Sequence, residues 1–335
     1  MMEPVSQPKS SLLVVVVLAA VAGAYFFLLG SSDFPEPGAN LEYDLQEFEE
    51  LDNTPTTYEE TGAFTLGLKN PRTLATAGDK IFVGAENVIA VYDAGGAESA
   101  RYPISGTANC LAVAEDGTLY AGLRTTLLVL DSAGQQLAEW KEFTPRSYLT
   151  SIALDGDDVY VADAGNRVVL RFNRAGELLT RIGEKDVTRD VPGLEVPSPY
   201  LDIALNDEGE LWVVNPGELG VERYRSDGSI VTSWYRPSFQ LDGFPGCCNP
   251  THIAFDQEGK LIASEKGLVR VKQFEVTQGA YEGLIASSKQ FPGEQSLRDL
   301  TVDAQNRVLV LDAQQDSVRV FARKEQTHGT NPQPQ

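Results

Sequence analysis

One unit recurs along this chain and limits what it can fold into. Residues 152–176, IALDGDDVYVADAGNRVVLRFNRAG, read as a short apolar strand, a turn carrying Asp155, Gly156 and Asp157, and a second strand, Val159–Ala162. An Asp163–Asn166 turn, a third strand, Val168–Phe172, and a closing Arg174-Ala175-Gly176 turn complete it. Each strand is too short to fold alone. Repetition has to supply the core, because a small sheet hides both faces only when similar sheets stack against it.

The repeat can be followed through the chain. First strands begin near Leu74, Leu111, Ile152, Ile203, Ile253 and Leu300, at spacings from 37 residues (Leu74 to Leu111) to 51 residues (Ile152 to Ile203). Second strands follow as IFVGA at Ile81, LYAGL at Leu119, VYVAD at Val159, LWVVN at Leu211, LIASE at Leu261 and VLVLD at Val308. Turns such as Asp116-Gly117 supply the positive φ that a tight reversal needs. These lengths are those of propeller blades, so the chain is expected to form six of them. A fourth, outer strand is available in five copies. The sixth lacks one, while Thr61–Leu68 precedes the first copy with no blade of its own, so this segment is expected to complete the last blade and close the ring.

In these residues the chain resembles the NHL-repeat family of six-bladed β-propellers, in a membrane-anchored bacterial form. The resemblance runs through Asn70–Phe321 and is fullest in VYVADAGNRVVLRFNRAG, Val159–Gly176. Copy six keeps VLVLDAQQDSVRVF, whereas copies one, two and five have Gly84-Ala85, Gly122-Leu123 and Ser264-Glu265 where the family pattern has Asp. The resemblance implies an all-β fold. It leaves function open, since the family and its propeller relatives include protein-binding modules, RNA binders, lyases and sugar-lactone hydrolases.

Outside the repeats the chain divides by composition. Residues 12–30 contain LLVVVVLAAVAGAYFFLL, 12–29, free of charge and proline, and are expected to be an uncleaved transmembrane anchor. Residues 1–11 are then a short cytoplasmic N-terminus. Residues 31–60, rich in Asp, Glu and Pro, read as an extended acidic linker. The propeller takes 61–323 and a polar, disordered tail 324–335. Lys9 and the terminal amine precede the span and acid follows it, so the positive-inside bias leads us to expect the propeller on the periplasmic side of a bacterial inner membrane. With 48 acidic and 27 basic side chains the net charge is −21, which repels phosphate backbones and argues against nucleic acid as a partner.

Long loops usually carry a propeller's binding function, and three stand out: Glu184–Pro199, Arg236–Asn249 and Ala286–Leu297. The second contains Cys247, Cys248 and Asn249, followed by His252. The cysteine pair admits three readings: a tight turn with one packed thiol, a vicinal disulfide, or a thiol pair facing a metal or redox partner. Alignment of the copies puts Thr73, Cys110, Ser151, Asp202, His252 and Asp299 at one register position, a polar ring at one mouth of the channel. Within it Asp202, His252 and Asp299 are the candidate ligands for a divalent cation. Cys110 reads as a small buried hydrophobe. Glu265, Lys266 and Arg270 are expected near the same face as a solvated ion pair, and with Cys247, Cys248, Asn249 and His252 they make up the candidate ligand-binding face. No nucleophile-elbow, zincin, P-loop or dinucleotide motif occurs. The expectation is a module that binds a protein or small ligand and needs no cofactor. The alternative is a metal-dependent hydrolase or lyase, or a redox accessory, working at the ring or at the cysteine pair.

Overall fold

Each repeat folds into its own antiparallel sheet, and six such sheets stand around a central axis in the computed structural model, which describes residues 50–141, 143–293 and 296–325. All of these belong to one compact unit, Gln46–Gln335. Blade 1 is built from Thr73–Ala77, Lys80–Asp93 and Glu98–Thr107; the two halves of the long middle strand pair on opposite sides, with left-handed Asn87 (φ 63) between them. Blades 2 to 5 have four strands each and open on Cys110–Val113, Leu149–Asp155, Ile203–Leu205 and His252–Phe255. Blade 6 opens on Asp299–Val302, and its outer strand comes from the other end of the chain. Tyr58–Thr65 pairs with Ser317–Arg323, joining Gly62 to Val320 and Phe64 to Val318. The ring is thus closed as the sequence led us to expect, with the closing strand starting three residues earlier.

Side chains alternate across a strand, so neighbouring positions on an inner strand face opposite neighbours. Leu74, Leu111, Ile152, Ile203, Ile253 and Leu300 each pack in the apolar cluster shared with the preceding blade. The next residue is Ala75, Ala112, Ala153, Ala204 or Ala254 in blades 1 to 5, and each packs in the cluster shared with the following blade. Blades converge at the axis, so in blades 1 to 5 this position of the inner strand carries only a methyl group. Farther out, aromatic side chains fill the widening wedge, and the turn before each outer strand must fit beneath them. A Cβ at Gly176 (φ 87) would lie 2.7 Å from Trp140 Nε1, and one at Gly134 (φ 77) 2.2 Å from the Tyr102 ring.

The expected anchor, 12–30, the segment 1–11, most of the linker and all of the tail except Lys324 and Glu325 lie outside the described residues. Among the described residues no helix is long and apolar enough to cross a membrane. The last part of the expected linker, from Glu50 to Glu60, is not a spacer. Glu50–Asn53 forms a 3-10 turn, and Asp52 and Tyr58 are buried. Tyr58 packs with Val271, Ile285 and Phe321, and Asp52 meets a buried arginine, a pairing that composition cannot show.

Replacing Ala153 by Leu is expected to destabilise the propeller by about 1–3 kcal/mol through overpacking at the axis. Leu137→Ala, on an exposed outer strand, should change stability by no more than about 0.5 kcal/mol. Thermal unfolding of the two variants compares them directly.

Candidate ligand-binding mouth

The ring position lies two residues before the axial alanine and on the same face of the strand, so its side chain is directed at the following blade. Asp202 Oδ2 accepts the Ile253 amide at 2.7 Å. Asp299 Oδ2 accepts the Leu74 amide and the Thr73 hydroxyl, both at 2.8 Å, and its Oδ1 accepts the Leu300 amide at 2.8 Å. Ser151 Oγ donates to the Ile203 carbonyl at 3.3 Å. The His252 imidazole faces the Leu297 carbonyl. From blade 3 to blade 6 each ring residue therefore clasps the blade after it, and Thr73 of blade 1 is the one clasped by Asp299. Cys110 does not, since its thiol turns to Gly122 O at 3.9 Å within its own blade, buried as expected.

The three candidate metal ligands do come together. His252 Nδ1 lies 3.9 Å from Asp202 Oδ2 and 3.7 Å from Asp299 Oδ1. Yet both carboxylates already accept backbone amides, and among the described residues no three His, Cys, Asp or Glu side chains are arranged to hold a metal ion. Burial pushes both carboxyl groups up to about 6, the Asp299 charge adding to the effect at Asp202. Burial also lowers the His252 pKa, against the opposing pull of the Asp202 charge.

Above the ring opens a cavity of about 170 Å³. It is lined by the residue just upstream of every ring position, namely Arg72, Asn109, Thr150, Leu201, Thr251 and Arg298, together with His252, Tyr148 and Tyr200. Tyr148 is held there by Asp163, which accepts the Tyr148 amide at 2.9 Å, the Ser147 hydroxyl at 2.6 Å and the Asn166 side chain at 2.7 Å. This is the work of the Asp-Asn turn in the best-formed repeat. Tyr200 lies edge-on to His252 at 6.4 Å and beneath the Lys266 ammonium at 5.3 Å. Below the ring the channel continues as a cavity of about 370 Å³ lined by the inner strands. The sequence reading missed Arg72, Tyr148, Tyr200 and Arg298. Shifting the ring alignment one residue upstream would have found both arginines.

The remaining candidates separate. Cys247 is exposed and Cys248 is buried with φ 65, and the two are not linked in this structure. Burial raises the Cys248 pKa. Buried Asn249 ties this turn to the next loop, accepting the Lys266 amide at 2.8 Å and donating to Lys266 O at 3.3 Å and Pro245 O at 2.8 Å. Of the Glu265, Lys266 and Arg270 group, only Lys266 reaches the mouth. Glu265 and Arg270 are 0% exposed and form a buried network rather than a solvated pair on a ligand-binding face. Arg270 Nε donates to Asp52 Oδ1 at 2.6 Å, Lys272 Nζ lies 2.9 Å from Glu265 Oε2, and Arg270 stands 3.6 Å from Glu265. Ser288 donates to Asp52, and Lys272 donates to Gly243 O while lying over the Phe244 ring at 4.7 Å. Two acids and two bases cancel. That balance is what allows four charges to be buried together.

No family model matches the sequence, and no curated protein does. Solved structures share the fold. The WD40 β-propeller domain of Doa1 superposes with a TM-score of 0.56 at 10% identity, covering 81% of this chain and 98% of that one. A streptogramin B lyase gives 0.54 at 12%, covering 78% and 97%. Virginiamycin B lyase from Staphylococcus aureus gives 0.54 at 12%, covering 79% and 99%. These likenesses establish the β-propeller. At such identities they carry the fold alone.

Two measurements test this site. Removing Asp52 with Asp52→Ala leaves Arg270 buried without its main counter-charge and should cost about 3–5 kcal/mol in denaturant unfolding. The loss should change little with salt, because a buried pair is weakly screened. The ring carboxyls make the second. Their folded pKa of about 6 exceeds the ordinary 3.8, so the folded state holds more protons between those values. Their contribution to stability is therefore greatest below about pH 4 and declines as pH rises to 6, by up to roughly 3 kcal/mol per group. Asp202→Asn and Asp299→Asn should each gain stability relative to the parent across that window, read as Tm against pH.

Proposed function

We propose that this chain is an NHL-type propeller held at the outer side of a bacterial inner membrane by residues 12–29, and that it works as a binding module. The ring mouth and its long loops face the protein or small ligand. One observation carries the reading. The mouth cavity is lined by Arg72, Arg298, Tyr148, Tyr200, Asn109 and His252 among threonine and leucine, while the carboxylates nearest it are committed to holding blades together. Of the two histidines in the sequence, His252 is the one among the described residues, and its imidazole stands among Asp202, Asp299, Tyr200 and the Leu297 carbonyl. The net charge of −21 further disfavours nucleic acid. An apolar span with an acidic domain after it supports the membrane placement.

Catalysis is the second reading, and His252 between two carboxylates is the observation in its favour. Two solved propellers of this fold are lyases by title. In that reading a divalent cation at Asp202, His252 and Asp299, or the Cys247 thiol, supplies the chemistry.

Cys247 offers a direct test, because Cys110 and Cys248 are buried. Thiol titration of the native chain should give one fast-reacting group. A photo-crosslinker attached to Cys247 in membranes should capture the partner. The same reagent on Glu208→Cys in a Cys247→Ser background, in the turn at the far end of blade 4, should not. Equal capture from both positions would refute a partner at the mouth. Stoichiometric bound metal that is lost in His252→Ala would put the catalytic reading first.

A further inference from the structure

Positive charge gathers at the mouth of a protein that is otherwise strongly acidic. Arg72 and Arg298 line the 170 Å³ cavity, and Arg72 is shared with an adjoining depression of about 420 Å³ that also holds Arg124. Arg124 lies over the Tyr148 ring at 5.4 Å, as Lys266 lies over Tyr200. No Asp or Glu lines either space. Since acids outnumber bases 48 to 27, a basic side chain here readily finds a carboxylate. Arg171, Arg174, Arg181 and Arg189 all do, at 2.8 Å or less. Among the described residues Arg72, Arg124, Lys266 and Arg298 have none within ion-pair distance, as is also true of Lys80, Arg146, Lys185, Arg225, Arg236, Lys289 and Lys324; what distinguishes Arg72 and Arg298 is that they line one cavity with no acid in its wall.

Arg72 is the sharper case. Its Nε is buried and has no hydrogen-bond partner among the described residues. An unmatched buried donor is unfavourable; Arg171 Nε and Arg223 Nε share that state, and Arg72 differs from them in lining the cavity. A guanidinium presents a planar fork that suits the paired oxygens of a carboxylate or phosphate. The carboxylates of Asp202 and Asp299 do not oppose such a ligand directly. They line the deeper channel and are occupied by backbone amides.

We propose that the mouth is a binding site for a small oxyanion, whose carboxylate or phosphate group sits between Arg72 and Arg298, with Asn109, Tyr148 and Tyr200 around it. The two arginines come from blades 1 and 6, on either side of the seam where the chain closes the ring. The cavity is about the volume of six liquid-water molecules, so it admits a phosphate or a small carboxylic acid and not a polymer. The acidic surface repels anions at a distance, but beyond roughly 8 Å that field is screened at physiological salt. Recognition then depends on the local fork. This assignment deepens the reading of the mouth as the working face, yet it needs no protein partner, so it can fail while the Cys247 crosslink succeeds, and the reverse.

The test is thermal unfolding of the full chain in detergent at fixed ionic strength, with inorganic phosphate or citrate replacing chloride. A saturable rise in Tm is expected with phosphate or citrate. Arg72→Gln and Arg298→Gln should each raise the half-saturating concentration at least tenfold, and Arg72→Lys, which keeps the charge without the fork, should fall between. Arg225→Gln, at an exposed turn of blade 4, should leave it unchanged. If Arg72→Gln fails to fold, exposed Arg298 carries the comparison. Equal effects in Arg298→Gln and Arg225→Gln, or no saturable rise with either anion, would overturn the assignment.

Discussion

The structure depends on how tightly six sheets can meet at an axis. A blade's inner strand has a neighbour on each side, and the pleat sends successive side chains to opposite neighbours. The geometry is asymmetric, with a large aliphatic residue turned back and an alanine turned forward in blades 1 to 5. Blade 6 carries Thr301 at the alanine position. The large residues supply the burial, each contributing roughly 1.5–3 kcal/mol. The small ones let the blades approach closely enough for side chains to bridge them.

That close approach explains the polar ring. A residue two positions before the alanine faces the same way, and the nearest groups it can meet are the inner-strand amides and carbonyls of the next blade. A carboxylate or hydroxyl there satisfies a backbone group that has no partner within its own sheet. Asp202 and Asp299 are thus kept in place by the backbone they cap, and their raised pKa values reflect the burial that this entails. The groups that looked most like a catalytic constellation belong to the closure of the ring. Their proximity to His252 follows from circular symmetry, which brings equivalent positions of different blades together whatever their chemistry.

The same symmetry decides what could be read in advance. Strands, turns and the closing role of the N-terminal strand were legible because each repeats a period-two pattern with glycine at fixed turns. The ring register was legible because alignment of copies is a one-dimensional operation. Arg72 and Arg298 were available to that operation one residue upstream, but a search for acid, base and metal chemistry passed over them. The network at Asp52, Glu265, Arg270 and Lys272 could not have been read at all. Asp52 and Arg270 are 218 residues apart, and SEKGLVRVK looks solvated until the 3-10 turn Glu50–Asn53 is laid over it. Charge in a sequence argues for exposure only when no opposite charge arrives from elsewhere.

Comparing the two groups of cations shows which of them bears on function. Arg270 and Lys272 are fully buried, and each has a carboxylate and further polar or aromatic contacts, so their charges are spent on the fold. Arg72 and Arg298 sit where the fold could have placed a carboxylate. The ring position immediately below carries two of them, and the sequence has acids in excess. Instead, the pleat sends Asp202 and Asp299 toward the next blade's backbone, while the upstream residue lines the space above. Stability uses one register position and leaves the adjacent one free to be cationic without weakening the ring. A propeller with its inter-blade clasps one residue below its mouth can therefore vary the mouth independently. In this chain two of the six positions, in blades 1 and 6, are arginine, the side chain whose planar fork suits a small anionic ligand.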